Sequence, residues 1–385
     1  VSYDSIVGFL SNKNEIIKGY LWHTVIIAVA LAYFEVFFAW AKVQMQTVFG
    51  NFMKEVFHRV GAMILLFLLH FEAINLEQFM GGLVVVYVLR MLVMNVFAFS
   101  VKLPVIIFKR VPYLSNILKY SFLIIIAGSI ATILLDVDKV MIGQFVEIKE
   151  IAYYSVAIYI ASVIAVPQRS MHQILLPLSA KYLNEKDFES LEDLYKRSSL
   201  NLFIVGGFIF LLIVLNINQL YYIIPEEFTG GLFVVFMISF TKLYDNALGS
   251  NNAILFNSDY YRVVLVLGVF LVIAMIILNI IFIPMLGING AGIATFIAVF
   301  SYNSIKLFFV YKKFKMFPFT TSTLRIGMLL LASVLLFYFW EFPFHPIINI
   351  GLKSLLITVL YIFVVYRFNF SEDISLLIKK YLKLK

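Results

Sequence analysis

The sequence predicts an all-α, polytopic membrane helix bundle. Three observations predict it: a composition that is 62% hydrophobic and 14% charged, apolar blocks of membrane-spanning length, and a lopsided distribution of Lys and Arg among the connections. Soluble domains run nearer half apolar and a quarter charged. Most of these 385 residues therefore cannot face water.

The apolar blocks are about 20 residues long, the length a helix needs to cross roughly 30 Å of hydrocarbon. Eleven spans are expected, at residues 18–40, 59–76, 80–101, 119–136, 151–176, 199–219, 229–248, 262–283, 288–309, 324–340 and 348–366. The 59–76 block contains His70 and ends near Glu72, and the 324–340 block is short, so these two carry the weakest pattern. Phe and aliphatic residues fill the blocks without the polar–apolar alternation of barrel strands.

The connections are short. The longest, AKYLNEKDFESLEDLYKRSS from Ala180 to Ser199, places Phe188, Leu191, Leu194 and Tyr195 at helical spacing among charges. That pattern predicts an amphipathic helix lying at the membrane interface, serving chiefly as a plain connector between spans. No connection is long enough for a folded catalytic domain, and no span carries a clustered catalytic set, so an enzyme is not expected. Without cysteine there is no disulfide, thiolate chemistry or Cys-based zinc site. The histidines at 23, 58, 70, 172 and 345 are scattered, so neither metal nor cofactor is expected.

The net charge of +8 does not signal nucleic acid, because the basic residues sit between apolar blocks rather than in a stripe. Assigning connections alternately puts 22 Lys and Arg on one face and five on the other, with Arg90, Arg169 and Lys242 inside spans. The five are Lys13, Lys18, Lys139, Lys149 and Lys353, and the 22 include Lys306, Lys109, Arg110, Lys383 and Lys385. By the positive-inside rule the rich face is cytoplasmic, with the C-terminus on it. Val1 then falls on the opposite face, which predicts an odd number of further spans before it.

A charge at the centre of a span costs about 2.5–3.5 kcal/mol on an insertion scale, so such residues usually face a bundle interior or wet cavity. In ISFTKLYDNALGSNNAIL, Lys242, Asp245, Asn246 and Gly249 recur at i, i+3, i+4 and i+7. That spacing predicts one helical face. Lys242 and Asp245 are each other's expected partner, either as a cavity site or as a structural contact between helices. In YIASVIAVPQRSMHQILLP, Pro167 predicts a kink, followed by a polar patch of Gln168, Arg169, His172 and Gln173. Arg169 suits a phosphate, or it snorkels to the nearby interface. Arg90, central in YVLRMLVMN, either faces a cavity or pairs with Glu35 of AYFEVFFAW. Glu35 and Asp138 are the candidates for coupling to a proton or ion. The alternative for Asp138, in LLDVDKVMIG, is a solvated helix end. The small-residue run Gly287, Gly290, Ala291, Gly292 and Ala294 reads as close helix packing.

Three places, in order, resemble the polysaccharide (O-antigen) flippase family of the multidrug/oligosaccharidyl-lipid/polysaccharide exporter superfamily. They are Asp138, Met141, Gly143, Tyr154, Ser155 and Ala157; the Pro177 region with its amphipathic linker; and LNIIFIPMLGINGAGIATFIA, with Asn279, Pro284, Gly287, Gly290, Ala291 and Gly292. Ala152 departs from the family's usual glycine. The resemblance covers residues 20 to 366 and is specific to the family, not to a substrate. It implies a two-lobed exporter with residues 1–118 as the second half of the first lobe, 119–309 as the second lobe, and 310–385 as two added spans and a basic tail. About three spans would precede Val1.

It further implies a bacterial inner-membrane flippase that carries an undecaprenyl-pyrophosphate-linked oligosaccharide outward by alternating access, coupled to a proton or sodium gradient. Its partners would be that cargo and membrane lipids, and the cationic Arg90, Lys242 and Arg169 would meet the anionic cargo. The rivals are a multidrug antiporter of the same superfamily, a lipid II flippase and, in a different class, a membrane polymerase.

Overall fold

The computed structural model describes residues 16–105 and 113–382, which leaves Lys13, Lys109, Arg110, Lys383 and Lys385 outside the described residues. Among the described residues every regular element is helical. Among the described residues eight helices are long and apolar enough to cross a membrane, and each coincides with one of the expected spans. The 324–340 span corresponds to a shorter apolar helix, Thr321–Phe337. The chain divides into two compact units, Val1–Leu118 and Lys119–Lys385.

In the first unit, α1 (Ile16–Val43) packs on α4 (Leu76–Val101). Between them run α2 (Val48–Phe52), a π-helical turn (Met53–Phe57) and α3 (His58–His70). The core is small: Phe34, Phe38, Ala41, Met53 and Met94. Phe38 presses so closely on Gly50 that an added Cβ would sit 2.2 Å from its ring, so only glycine fits there. The start of α4 is fixed by a reciprocal cap, in which the Asn75 side chain accepts from the Gln78 backbone and the Gln78 side chain accepts from the Asn75 backbone.

The second unit begins with α5 (Leu114–Phe145) and α6 (Ile148–Ser162). A 3-10 turn at Val163–Ala165 follows, and then α7 (Val166–Glu185). Pro167 stands in the first turn of α7, where a missing N–H costs nothing, so the expected kink is a change of helix type. α8 (Phe188–Tyr221) has 34 residues and is about 51 Å long. Two adjacent glycines let other helices close on it. Asn246 packs onto Gly206 and Leu330 onto Gly207, each 2.9 Å from where a Cβ would be.

The separate interfacial helix expected over 180–199 is not formed. Its first residues close α7 and the rest are the opening turns of α8. Lys186 breaks the chain in the left-handed conformation, and the Asp187 carboxylate caps α8 by accepting from the Ser190 backbone at 3.0 Å. Leu191 and Tyr195 turn into a protein core with Ile254, Val264 and Val310, which removes the apolar stripe that lipid would have covered.

α9 (Leu232–Ala247) and α10 (Asn251–Asn257) are two pieces of one interrupted span. The expected face ends at Asn246, because Gly249 lies in the break with φ +54. α11 (Tyr261–Leu286) and α12 (Ile288–Phe314) form a tight pair. An added Cβ on Gly290 would meet the Phe282 carbonyl oxygen at 2.0 Å, so Gly290 serves close packing, whereas Gly287 has open space and a φ of +59 that serves the turn between the helices. α13 (Thr321–Phe337) and α14 (Pro346–Arg367) pack on α8 through Ile204, Leu211, Ile326, Leu330, Ile357 and Tyr361.

The terminal α15 (Glu372–Leu382) is tied to α8 by a fork. Arg197 Nη2 donates to Asp373 Oδ1 at 2.5 Å and Nε to Oδ2 at 3.2 Å. Asn201 donates to the same Oδ2 at 2.7 Å. The Arg197 guanidinium holds the Asp373 carboxyl below the usual carboxylate range. A depressed folded-state value stabilises above the unfolded value and is lost as pH falls through the folded one. Docking of α15 should therefore hold at neutral pH and loosen below about pH 4. Hydrogen exchange of α15 amides against pH reads this, and Asp373→Asn should show the loosened rate at every pH.

Candidate functional site

Asp136 and Asp138 are separated by about 200° around α5, so they face opposite ways. Asp136 is exposed and pairs with Lys139 at 2.8 Å. Asp138 is 5% exposed and points between α6, α11 and α12. Its Oδ2 accepts the Tyr154 hydroxyl at 2.8 Å and the Thr295 hydroxyl at 2.6 Å. Its Oδ1 accepts the Asn279 amide at 2.7 Å. The solvated-end alternative is thereby corrected. Asp138 is a buried carboxylate met by three neutral donors, and among the described residues no cation pairs with it. The amide oxygen of Asn279 is buried beside this cluster without a partner among the described residues. Such a carboxylate can take a proton, or share a small cation with a neighbouring oxygen, with no competing counter-charge to displace.

A second polar cluster surrounds the α9–α10 break. Asp245 Oδ1 accepts from Asn303 at 3.2 Å, and the Asp245 carbonyl accepts from Gln168 at 3.2 Å. The expected Lys242–Asp245 pair is not made, and among the described residues Lys242 has no carboxylate partner. Asn303 on α12 takes the aspartate instead. Asn246, expected on a cavity-lining face, bonds to backbone instead. It is fully buried, and its amide donates to the carbonyls of Ile164 and Lys242 at 2.9 Å each, tying α9 to the turn before α7. Arg169 is exposed on α7, which fits both the phosphate and the interface reading.

Lys306 is what the sequence reading missed. Counted there among connection charges, it is 2% exposed inside α12. Its ammonium donates to Asn252 at 2.6 Å and stands 4.0 Å from the Tyr302 ring centroid. The signal was available: Tyr302 lies one turn before it, and Ser301, Asn303 and Ser304 make the same stretch polar inside an expected span. Lys353, also counted as a connection charge, is 1% exposed in α14.

In the first unit Arg90 is 4% exposed. Its guanidinium lies 3.8 Å from the Phe34 ring centroid, and Nη2 donates to the Lys54 carbonyl at 3.4 Å. Glu35 is not its ion-pair partner. Phe34 and Glu35 are neighbours about 100° apart on α1, so Phe34 faces α4 while Glu35 meets Lys54 of the π turn at 2.6 Å. Glu35 is half exposed there rather than buried among aromatics.

Between α8, α9, α12 and α13 opens an apolar cleft of about 510 Å³, lined by Phe203, Phe240, Tyr244, Phe296, Phe300 and Gly327 among others. Tyr244 is where it meets the polar cluster. Its ring packs on Phe300 at 4.6 Å, its hydroxyl pairs with Ser304 at 3.0 Å, and Asp245 follows it in the chain.

Long apolar helices around buried polar groups define a multi-pass membrane protein. Its fold is similar to a solved structure of "Lipid II flippase MurJ, inward closed conformation", with a TM-score of 0.65 and 14% identity, over 96% of this chain and 86% of that one. That likeness is one of fold, and the fold is a polytopic all-helical bundle, as expected from the sequence. No family model and no curated protein matches the sequence.

Proposed function

We propose that this protein is a flippase for a lipid-linked oligosaccharide, carrying undecaprenyl-pyrophosphate-linked repeat units across a bacterial inner membrane by alternating access. Its Lys/Arg-rich face and C-terminus are cytoplasmic. The observation that carries the reading is the apolar cleft ending at the Tyr244–Asp245 polar cluster. A lipid-linked sugar needs an apolar groove that opens onto polar groups, and a flippase shares this fold.

Asp138 is the coupling group for a proton or sodium ion. Glu35, already paired with Lys54, is the weaker candidate. Lys242, having no carboxylate partner among the described residues, meets the cargo's negative charge, with exposed Arg169 on the same unit. The charge of Arg90 is spread over Phe34. A lipid II flippase is the second reading, favoured by the structural neighbour; the two cargoes differ in the head carried.

The cleft is testable at Gly327, which lines it and where an added Cβ would meet nothing within 4 Å. Gly327→Trp should leave insertion and thermal stability unchanged while filling the groove. Transport of a fluorescent lipid-linked oligosaccharide in proteoliposomes should fall about tenfold, the scale of losing roughly 1.4 kcal/mol of chain contact. Wild-type transport by a well-folded Gly327→Trp protein would remove the cleft from the mechanism.

A further inference from the structure

Where α14 turns into α15 there is a second cleft, of about 600 Å³, lined by Tyr366, Arg367, Asn369, Glu372, Ser375 and Lys379. Arg367 is the last residue of the apolar α14, so the cleft stands where hydrocarbon gives way to headgroups. Arg367 and Lys379 are both exposed, and neither has a carboxylate partner among the described residues. Ser375 is 7% exposed, and its hydroxyl is buried in the lining without a hydrogen-bond partner among the described residues. Phe363, Phe368 and Leu376 lie exposed around it.

We propose that this cleft binds the phosphodiester headgroup of an anionic phospholipid in the leaflet at the Lys/Arg-rich end of the protein. The guanidinium fork of Arg367 matches two phosphate oxygens, Lys379 adds a point charge, and the Ser375 hydroxyl donates to a third oxygen. Glu372 lies in the same lining. It repels a second anionic group and accepts from a hydroxylated head, which selects a phosphoglycerol over a free phosphate. The exposed Phe363, Phe368 and Leu376 supply the surface along which acyl chains lie. The site needs only that the protein spans a membrane, and holds whatever its cargo.

The chain lacks cysteine, so Leu376→Cys gives one labelling position at the rim. The purified full chain, labelled there with an environment-sensitive fluorophore, is titrated with short-chain phosphatidylglycerol, phosphatidylcholine and inorganic phosphate. Phosphatidylglycerol should give a saturable change, and the other two none in the same range. Removing each cation, as Arg367→Gln or Lys379→Gln, should weaken binding on the order of fivefold. Ser375→Ala should weaken it too, with thermal unfolding of all three variants unchanged. Equal responses to the two lipids, or a double Arg367→Gln, Lys379→Gln protein that titrates like the wild type, would overturn the site. Inorganic phosphate matching phosphatidylglycerol would overturn the lipid assignment.

Discussion

Asp138→Asn is expected to reduce ion-driven transport in proteoliposomes to background while leaving the protein inserted and folded. The asparagine fills the same volume but carries no charge and brings two N–H donors to a place where Tyr154, Thr295 and Asn279 already supply three. The Tyr154 and Thr295 hydroxyls can rotate to accept, so the fold survives. A group that cannot titrate or neutralise a cation cannot couple. Asp138→Ala should do worse, since it leaves three buried donors with nothing to bond. At about 1–3 kcal/mol for each donor left unsatisfied, a loss of about 3 kcal/mol in thermal unfolding is expected even after the hydroxyls relax. Gradient-driven transport by Asp138→Asn at the wild-type rate would show that the carboxylate is structural only.

Gly249→Ala should destabilise the protein by at least about 3 kcal/mol and lower its yield in membranes. The position combines two penalties. Its φ of +54 disfavours any side chain, and an added Cβ would lie 2.5 Å from the Ser199 backbone nitrogen and 2.7 Å from its Cα. Conformational strain alone is worth about 1–2 kcal/mol. The clash is with the backbone of α8, which cannot yield without dragging Leu202 and Phe210 out of their cores. Gly327→Ala, which meets open space, is the neutral control. Equal melting temperatures for the two variants would show that the α9–α10 break tolerates a side chain.

Much of the architecture was legible because lipid imposes one rule on every helix, and apolar length alone marks a span. The positions of Arg90 and Asp138 were also legible as unusual, since a charge there must be explained. Partners were not. Helical spacing puts Lys242 and Asp245 on one face, but it cannot say that Asn303, 58 positions later, competes for the aspartate. Glu35 was one of two expectations for Arg90, the other being a cavity, while a π-helical turn, which has no sequence signature, delivers Lys54 to Glu35 instead. Lys306 was lost because a lysine near the end of a span reads as an interface residue until its neighbour Asn252 is seen to bond it. The linker at 180–199 misled for a related reason: an amphipathic stripe looks the same whether protein or lipid covers it.

The glycine pair in α8 has a mechanical meaning. Gly206 receives Asn246 of α9 and Gly207 receives Leu330 of α13, so two helices are keyed into one turn of a third, about 100° apart. A helix gripped from two sides at the same height can neither roll nor slide without ejecting one of the side chains seated on it. α8, α9 and α13 are therefore geared together, and any swing of one of them should carry the other two with it as one lever.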